Sequence, residues 1–161
     1  MKLQKVAIVS KVGSKDSEQA AKDIAKKLLA KKSTVYTISP IQVEGAKQLE
    51  TLEELKKIKL DLVITLGGDG TTLRVFRNLD NETPILTINV GGNRGILAEI
   101  TYDEIDVAID QMLKSEFFLD KRIRVVASCG GEEFPPALNE IYINRSNLTK
   151  TSEINIKFQN D

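Results

Sequence analysis

The chain has 161 residues, 41% of them hydrophobic, with 23 Lys and Arg set against 23 Asp and Glu. That size and apolar content suit one ordinary domain, or one domain and the start of another. Balanced charge supplies neither a basic surplus for nucleic acid nor an acidic tail. No apolar stretch is long enough to span a membrane, no secretory signal pattern is evident, and the lone Cys129 cannot form an internal disulfide, so a cytoplasmic location is expected. Histidine is absent altogether, which removes the commonest general base and metal ligand and every triad built on one. A base has to be a carboxylate, a lysine or a tyrosine.

Taken in order, residues 4–10 read as a first strand and 11–14 as a turn. Over 16–32, Ala20, Ala21, Ile24, Ala25, Leu28 and Leu29 recur at helical spacing with lysines opposite, the pattern of an amphipathic helix lying on a sheet. A second, β-branched strand covers 34–39, and 40–45 is a loop. Leu49, Leu52 and Leu55 mark a second helix ending near Lys57. A third strand fills 62–66, its helix runs to about Asn78, and 84–89 is a fourth strand. Thr101 and Glu104 are spaced for a capping box, continued by Ile105, Ala108, Ile109, Met112 and Leu113 as a helix. Strands alternating with helices predict a doubly wound parallel sheet that binds ligand beyond the carboxyl ends of its strands. After Phe118 the pattern changes. Residues 121–128, 134–144 and 153–159 read as successive antiparallel strands with no helix between them, the first two joined around Gly130-Gly131. The fold class expected is therefore α/β, with a doubly wound domain over 1–118 and the start of a β-rich second domain over 119–161. An antiparallel sheet stopped there leaves an open edge and an uncovered apolar face.

The most informative stretch is Leu62-Val63-Ile64-Thr65-Leu66-Gly67-Gly68-Asp69-Gly70-Thr71-Thr72-Leu73-Arg74. Its apolar run suits a strand buried on both faces, and its three glycines let the backbone take positive φ and approach a ligand closely. Thr71 or Thr72 is placed to cap the following helix, whose positive end faces back into the turn as a phosphate cradle. Asp69 stands out, because a carboxylate among donors meant for phosphate needs its own task. It can take a proton from an attacking hydroxyl, hold a divalent cation shared with the phosphates, or simply serve a turn or helix cap. A second glycine turn, Gly91-Gly92-Asn93-Arg94-Gly95, follows the fourth strand and should lie beside the first.

Gly67-Gly68-Asp69-Gly70-Thr71 on a strand-to-helix turn resembles the ATP-NAD kinases. Diacylglycerol and sphingosine kinases share the glycine motif but run on at once into an Asn-Glu pair. Here the pair comes late, in Ala137-Leu138-Asn139-Glu140-Ile141, as in NAD kinases. The run 89–99 is similar to their second glycine turn, though one residue longer and without the usual phenylalanine after the last glycine. The family's later Gly-Ser-Thr-Ala-Tyr segment is missing, so the resemblance points to an N-terminal portion, inactive by itself, with a naturally shortened relative as the alternative.

The resemblance implies transfer of a phosphoryl group from ATP or polyphosphate to the adenosine 2′-hydroxyl of NAD, with magnesium as the divalent cation. Asp69 is implied as the catalytic base, and Gly68, Asp69, Gly70, Thr71, Arg74, Asn139 and Glu140 as the nucleotide-binding set. Arg74 would face NAD phosphate or ribose; Asn139 and Glu140 would face the NAD ribose and nicotinamide side. No residue is assigned as a metal ligand. The partners expected are NAD, ATP and further copies of the chain, with no nucleic acid and no membrane. The alternatives are a non-catalytic nucleotide-binding or oligomerisation module and a lipid kinase of the diacylglycerol kinase type.

Overall fold

The computed structural model describes residues 3–79, 83–92, 95–145, 149, 151 and 153–158, in two compact units, Met1–Ile123 and Arg124–Asp161. Among the described residues of the first unit, six parallel strands form one sheet: β1 (Lys5–Ser10), β2 (Thr34–Ile38), β3 (Lys47–Leu49), β4 (Leu62–Leu66), β5 (Ile85–Asn89) and β6 (Ile100–Thr101). Their order is β3-β2-β1-β4-β5-β6, so the winding reverses between β1 and β4. A sheet wound this way opens a crevice at the carboxyl ends of the two strands where the direction switches. The motif strand β4 is one of them.

Alternation along the strands sends side chains to two cores. Val6, Ile8, Val35, Ile64, Leu66 and Ile88 pack on one face with α1 (Lys15–Ala30) and α3 (Ile105–Lys114), through Ile24, Leu28, Ile105 and Ile109. Ala7, Val9, Tyr36 and Val63 pack on the other with Leu55, Leu60 and, from α2 (Asp69–Phe76), Val75. Every residue of β4 is buried, as a strand covered on both faces requires. Helix α1 begins at Ser14, whose hydroxyl accepts the Ser17 N–H at 3.3 Å, with Asp16 and Glu18 in the first turn where the helix dipole favours them.

The chain differs from its sequence reading in three places within this unit. Leu49 belongs to a strand and not to a helix: it lies opposite Ile38 at the sheet edge, and the helical segment shrinks to a 3-10 turn, Leu52–Lys57. The cause is Glu54, whose carboxylate accepts the N–H groups of Glu50 and Thr51, both at 2.9 Å, and so starts the turn only after Leu49. The helix after the glycine motif ends at Phe76, short of Asn78, whose side chain donates back to the Arg74 carbonyl at 3.0 Å. The capping box at Thr101 and Glu104 is present, but it opens a 3-10 turn, Tyr102–Glu104, before α3 starts.

In the second unit β7 (Ser128–Cys129) and β8 (Glu132–Glu133) make an antiparallel hairpin around Gly130 and Gly131, both at positive φ, the backbone such a tight turn demands. Beyond it the Phe134 N–H donates to the Ala127 carbonyl at 2.8 Å, and Val125 and Ala137 form an antiparallel bridge. The long strands expected over 121–128 and 134–144 are thus reduced to a hairpin and a bridge. No strand occurs over 153–158, and Gln159 lies outside the described residues.

Candidate functional site

The site grows from the end of β4. Gly67 has φ +142, and its N–H donates to the Ile88 carbonyl at 3.0 Å, while the Lys11 N–H donates to the Leu66 carbonyl at 2.8 Å. The turn is therefore laced to both neighbouring strands. A Cβ at Gly67 would come within 2.9 Å of the Thr71 hydroxyl and 3.0 Å of the Lys11 Cβ, so this glycine is required for space as well as for φ. Gly68 and Gly70 face open space, where a ligand can reach the backbone.

Gly68 caps α2 without any side-chain bond, so neither Thr71 nor Thr72 is the helix cap expected from sequence. Thr72 points inward instead. Its hydroxyl lies 2.9 Å from those of Thr65 and Thr87, and Thr65 donates to Thr87 at 3.1 Å, closing a buried ring of three hydroxyls from α2, β4 and β5. Each hydroxyl can donate once and accept once around the ring, so burial leaves none of them unsatisfied. The ring fixes the start of α2 on the strands that carry both glycine turns.

Asp69 is the first residue of α2 and is half-buried. Its Oδ2 accepts the Ile96 N–H and its Oδ1 the Leu97 N–H, each at 3.0 Å. The carboxylate thus reaches across from the first glycine turn and grips the far end of the second. Gly95 makes this possible, since a Cβ there would collide with the carboxylate. The near end of the second turn is held by Asn89, buried at the end of β5, whose amide donates to the Gly92 carbonyl at 3.3 Å. Gly91 and Gly92 have φ +75 and +79. Asn93 and Arg94 lie outside the described residues.

Arg74 sits on α2 with one terminal nitrogen 3.5 Å from the Ser10 carbonyl, at the end of β1 and thus at the switch point. Its Nε is buried without a hydrogen-bond partner among the described residues. A buried guanidinium nitrogen left without a partner calls for a ligand, water or ion to complete it. The first unit brings together Gly68, Asp69, Gly70, Thr71 and Arg74. Asn139 and Glu140 belong to the second unit, exposed, just past the bridge at Ala137.

Sequence reasoning named Gly95 only as part of a turn, and missed the hydroxyl ring, the space Gly95 leaves for Asp69 and the grip on the second turn. One signal for the ring is in the sequence: β4 and β5 each carry a single threonine, and these two are register partners, Thr65 opposite Thr87. For the grip of Asp69 no local signal exists, because its donors are backbone groups 27 and 28 residues away.

Compared with known families, residues 6–117 match the model of the ATP-NAD kinase N-terminal domain. The chain belongs to the ATP-NAD kinase family. It is similar to the NAD kinase of Thermococcus sibiricus, with 39% identity over 58% of this chain and 34% of that protein. With the NAD kinase of Geotalea daltonii it shares 32% identity over 94% of this chain and 55% of the relative. The chain thus spans about a third to about half the length of these relatives. In fold it is similar to yeast NADH kinase complexed with NADH, with a TM-score of 0.67 at 19% identity over 77% of this chain and 42% of that one. An NAD kinase from Archaeoglobus fulgidus in complex with ATP gives a TM-score of 0.54 at 23% identity, covering 76% and 41%.

Proposed function

We propose that this chain carries the nucleotide cradle and the base of an NAD kinase, which moves the γ-phosphoryl group of ATP, or of polyphosphate, to the adenosine 2′-hydroxyl of NAD. The observation that carries the reading is the place of Asp69: a carboxylate at the first position of a helix, in a glycine turn, at the switch point of a doubly wound sheet. In the reaction Asp69 takes the proton as the 2′-oxygen bonds to the terminal phosphorus of the donor, and the bond from that phosphorus to its bridging oxygen breaks, releasing ADP from ATP or a chain one phosphate shorter from polyphosphate. Phosphoryl transfer asks the protein for positioning and charge stabilisation more than covalent chemistry. Gly68, Gly70 and the Thr71 turn lie against nucleotide, and Arg74 completes its guanidinium on a phosphate or ribose oxygen. Asn139 and Glu140, from the second unit, meet the NAD ribose and nicotinamide side.

Magnesium belongs to this reading as the salt of the donor phosphates. The described residues hold no group of three or more candidate ligands, and both Asp69 oxygens are engaged by amides. They form no protein cage for the ion, and no step is assigned to it. No described helix is long and apolar enough to cross a membrane. A cytoplasmic location accords with the exposed free thiol of Cys129 and with ATP and NAD as ligands. Self-association through the exposed strands of the second unit is part of the same proposal, as is the inactivity of this chain by itself.

The test is calorimetry of NAD and ATP on the 161-residue chain with an assay of NADP formation. Both ligands should bind. In a version of the chain that forms NADP, Asp69→Asn should lower turnover by about two orders of magnitude or more, the scale of losing a general base. Near wild-type NADP formation in Asp69→Asn would favour the non-catalytic reading of this chain, and failure to bind NAD would end the kinase reading.

A further inference from the structure

We infer that the segment 95–97 is a positioning clamp for Asp69: two consecutive backbone amides hold its carboxylate in one orientation before any ligand arrives, and Gly95 is the residue that lets them. The inference rests on the reading of Asp69 as the group that meets the ligand hydroxyl. A free aspartate on an exposed helix end samples several rotamers. Here the Ile96 and Leu97 amides take one oxygen each, at 3.0 Å, so the plane of the carboxylate is fixed by two donors on a separate segment of chain. An ionised carboxylate offers about four lone-pair sites, and the clamp uses two of them. One site on each oxygen is left for an incoming hydroxyl, which therefore has a defined line of approach. Holding a reacting group in place beforehand is where much of the advantage of a bound site over solution arises.

The two glycine turns are thereby tied twice. Below, the hydroxyls of Thr65, Thr72 and Thr87 join α2 to both strands; above, the carboxylate joins the first turn to the second. Gly95 separates the two ties experimentally. The nearest atoms a methyl group there would meet are the carboxylate atoms of Asp69, so Gly95→Ala should displace the carboxylate first, and the strands and the hydroxyl ring are expected to stay in place.

The experiment combines amide hydrogen exchange by NMR with calorimetry, on the 161-residue chain, Gly95→Ala and Asp69→Ala. The probes are NAD and its analogue lacking the adenosine 2′-hydroxyl. In the wild type the Ile96 and Leu97 amides should exchange at least about tenfold more slowly than in Asp69→Ala. NAD should bind about tenfold more tightly than the analogue, the scale of a hydrogen bond to a charged group. In Gly95→Ala both the protection and the preference should vanish, while affinity for the analogue stays within about twofold. Unchanged exchange at β4 and β5 amides verifies that the variant is folded. Wild-type amides that exchange as fast as in Asp69→Ala would overturn the clamp whatever the ligand does. A preference for NAD that survives in Gly95→Ala after protection is lost would show that the clamp positions nothing. Protected amides in a chain that does not bind NAD would sink the kinase reading, and the positioning role with it.

Discussion

Residues 3–123 and 124–158 are made from similar material, apolar and β-branched runs broken by glycine turns, yet the described residues of the first set build a six-stranded sheet and those of the second only a two-stranded one. In the first unit, strands β1, β2, β4 and β5 are paired on both sides, and two cores cover the two faces. In the second, Phe134, Tyr142, Ile143, Ile154, Ile156 and Phe158 are all exposed, and two-residue strands are the longest pairing described. The difference teaches that alternation alone does not make a strand. A strand forms where neighbours take its N–H and C=O groups and a helix layer takes its side chains.

The strongest way to break that comparison is to make the same deletion on each side of it. Ile64 is fully buried in β4, and Ile156 is 73% exposed. Ile64→Ala should cost about 2–5 kcal/mol, because it removes transfer energy and leaves a cavity. Ile156→Ala should move stability by no more than about 0.5 kcal/mol. Urea unfolding of both variants gives the two numbers directly. Equal losses would mean that the second unit has a core of its own in solution and that the contrast between the units is false.

Much of the first unit was legible because its signals are local. The burial of β4, the periodicity of α1, the capping box at Thr101 and the turn glycines each depend on residues within one or two turns of chain. What was not legible depends on distance. Leu49 looks helical beside Leu52 and Leu55, and only its pairing with Ile38 across the sheet edge makes it a strand residue. Thr72 looks like a helix cap until Thr65 and Thr87 are placed beneath it. The site divides the same way: Asp69 and its glycines are readable as a motif, whereas Gly95 has meaning only once the Asp69 carboxylate is seen against it. Past Phe118 the antiparallel hairpin around Gly130-Gly131 was also readable and is present, whereas the strand lengths were not, because nothing local tells how far a strand keeps its partner.

A smaller effect sharpens the comparison by asking what holds the motif to the sheet apart from apolar burial. Thr72→Val keeps the volume and removes the hydroxyl that links Thr65 to Thr87, leaving two buried hydroxyls with a single bond between them. The expected loss is about 1–3 kcal/mol, the penalty of unsatisfied buried polar groups. Paired with Thr72→Val/Thr65→Val/Thr87→Val, which removes every hydroxyl at once, the single change should be the more damaging per group. If the single variant is as stable as wild type, the ring contributes nothing and the position of α2 is set by Val75 and its apolar neighbours alone.

The smallest expected effect concerns Glu54, which shapes the edge of the first unit by ending β3 and starting the 3-10 turn. The Thr51 N–H, chiefly, holds its carboxyl below the ordinary value of 4.5, with the Glu50 N–H and the Thr51 hydroxyl adding to it against a contrary desolvation cost. A carboxyl lowered in the folded state binds its proton less readily there than in the unfolded chain. Its contribution to stability is therefore complete above the unfolded value and is lost as the pH falls through the lower folded value. Glu54→Gln removes that titration, so the difference in stability between wild type and variant should be constant near pH 7 and shrink as the pH is taken below about 4.5. The carboxylate is exposed, so solvent screening keeps the whole effect small. Urea unfolding of the two proteins at pH 7 and pH 3 measures it. A difference that persists unchanged at pH 3 would mean that the charge of Glu54 is irrelevant and that the break between β3 and the 3-10 turn is set by the burial of Leu49 and Leu55.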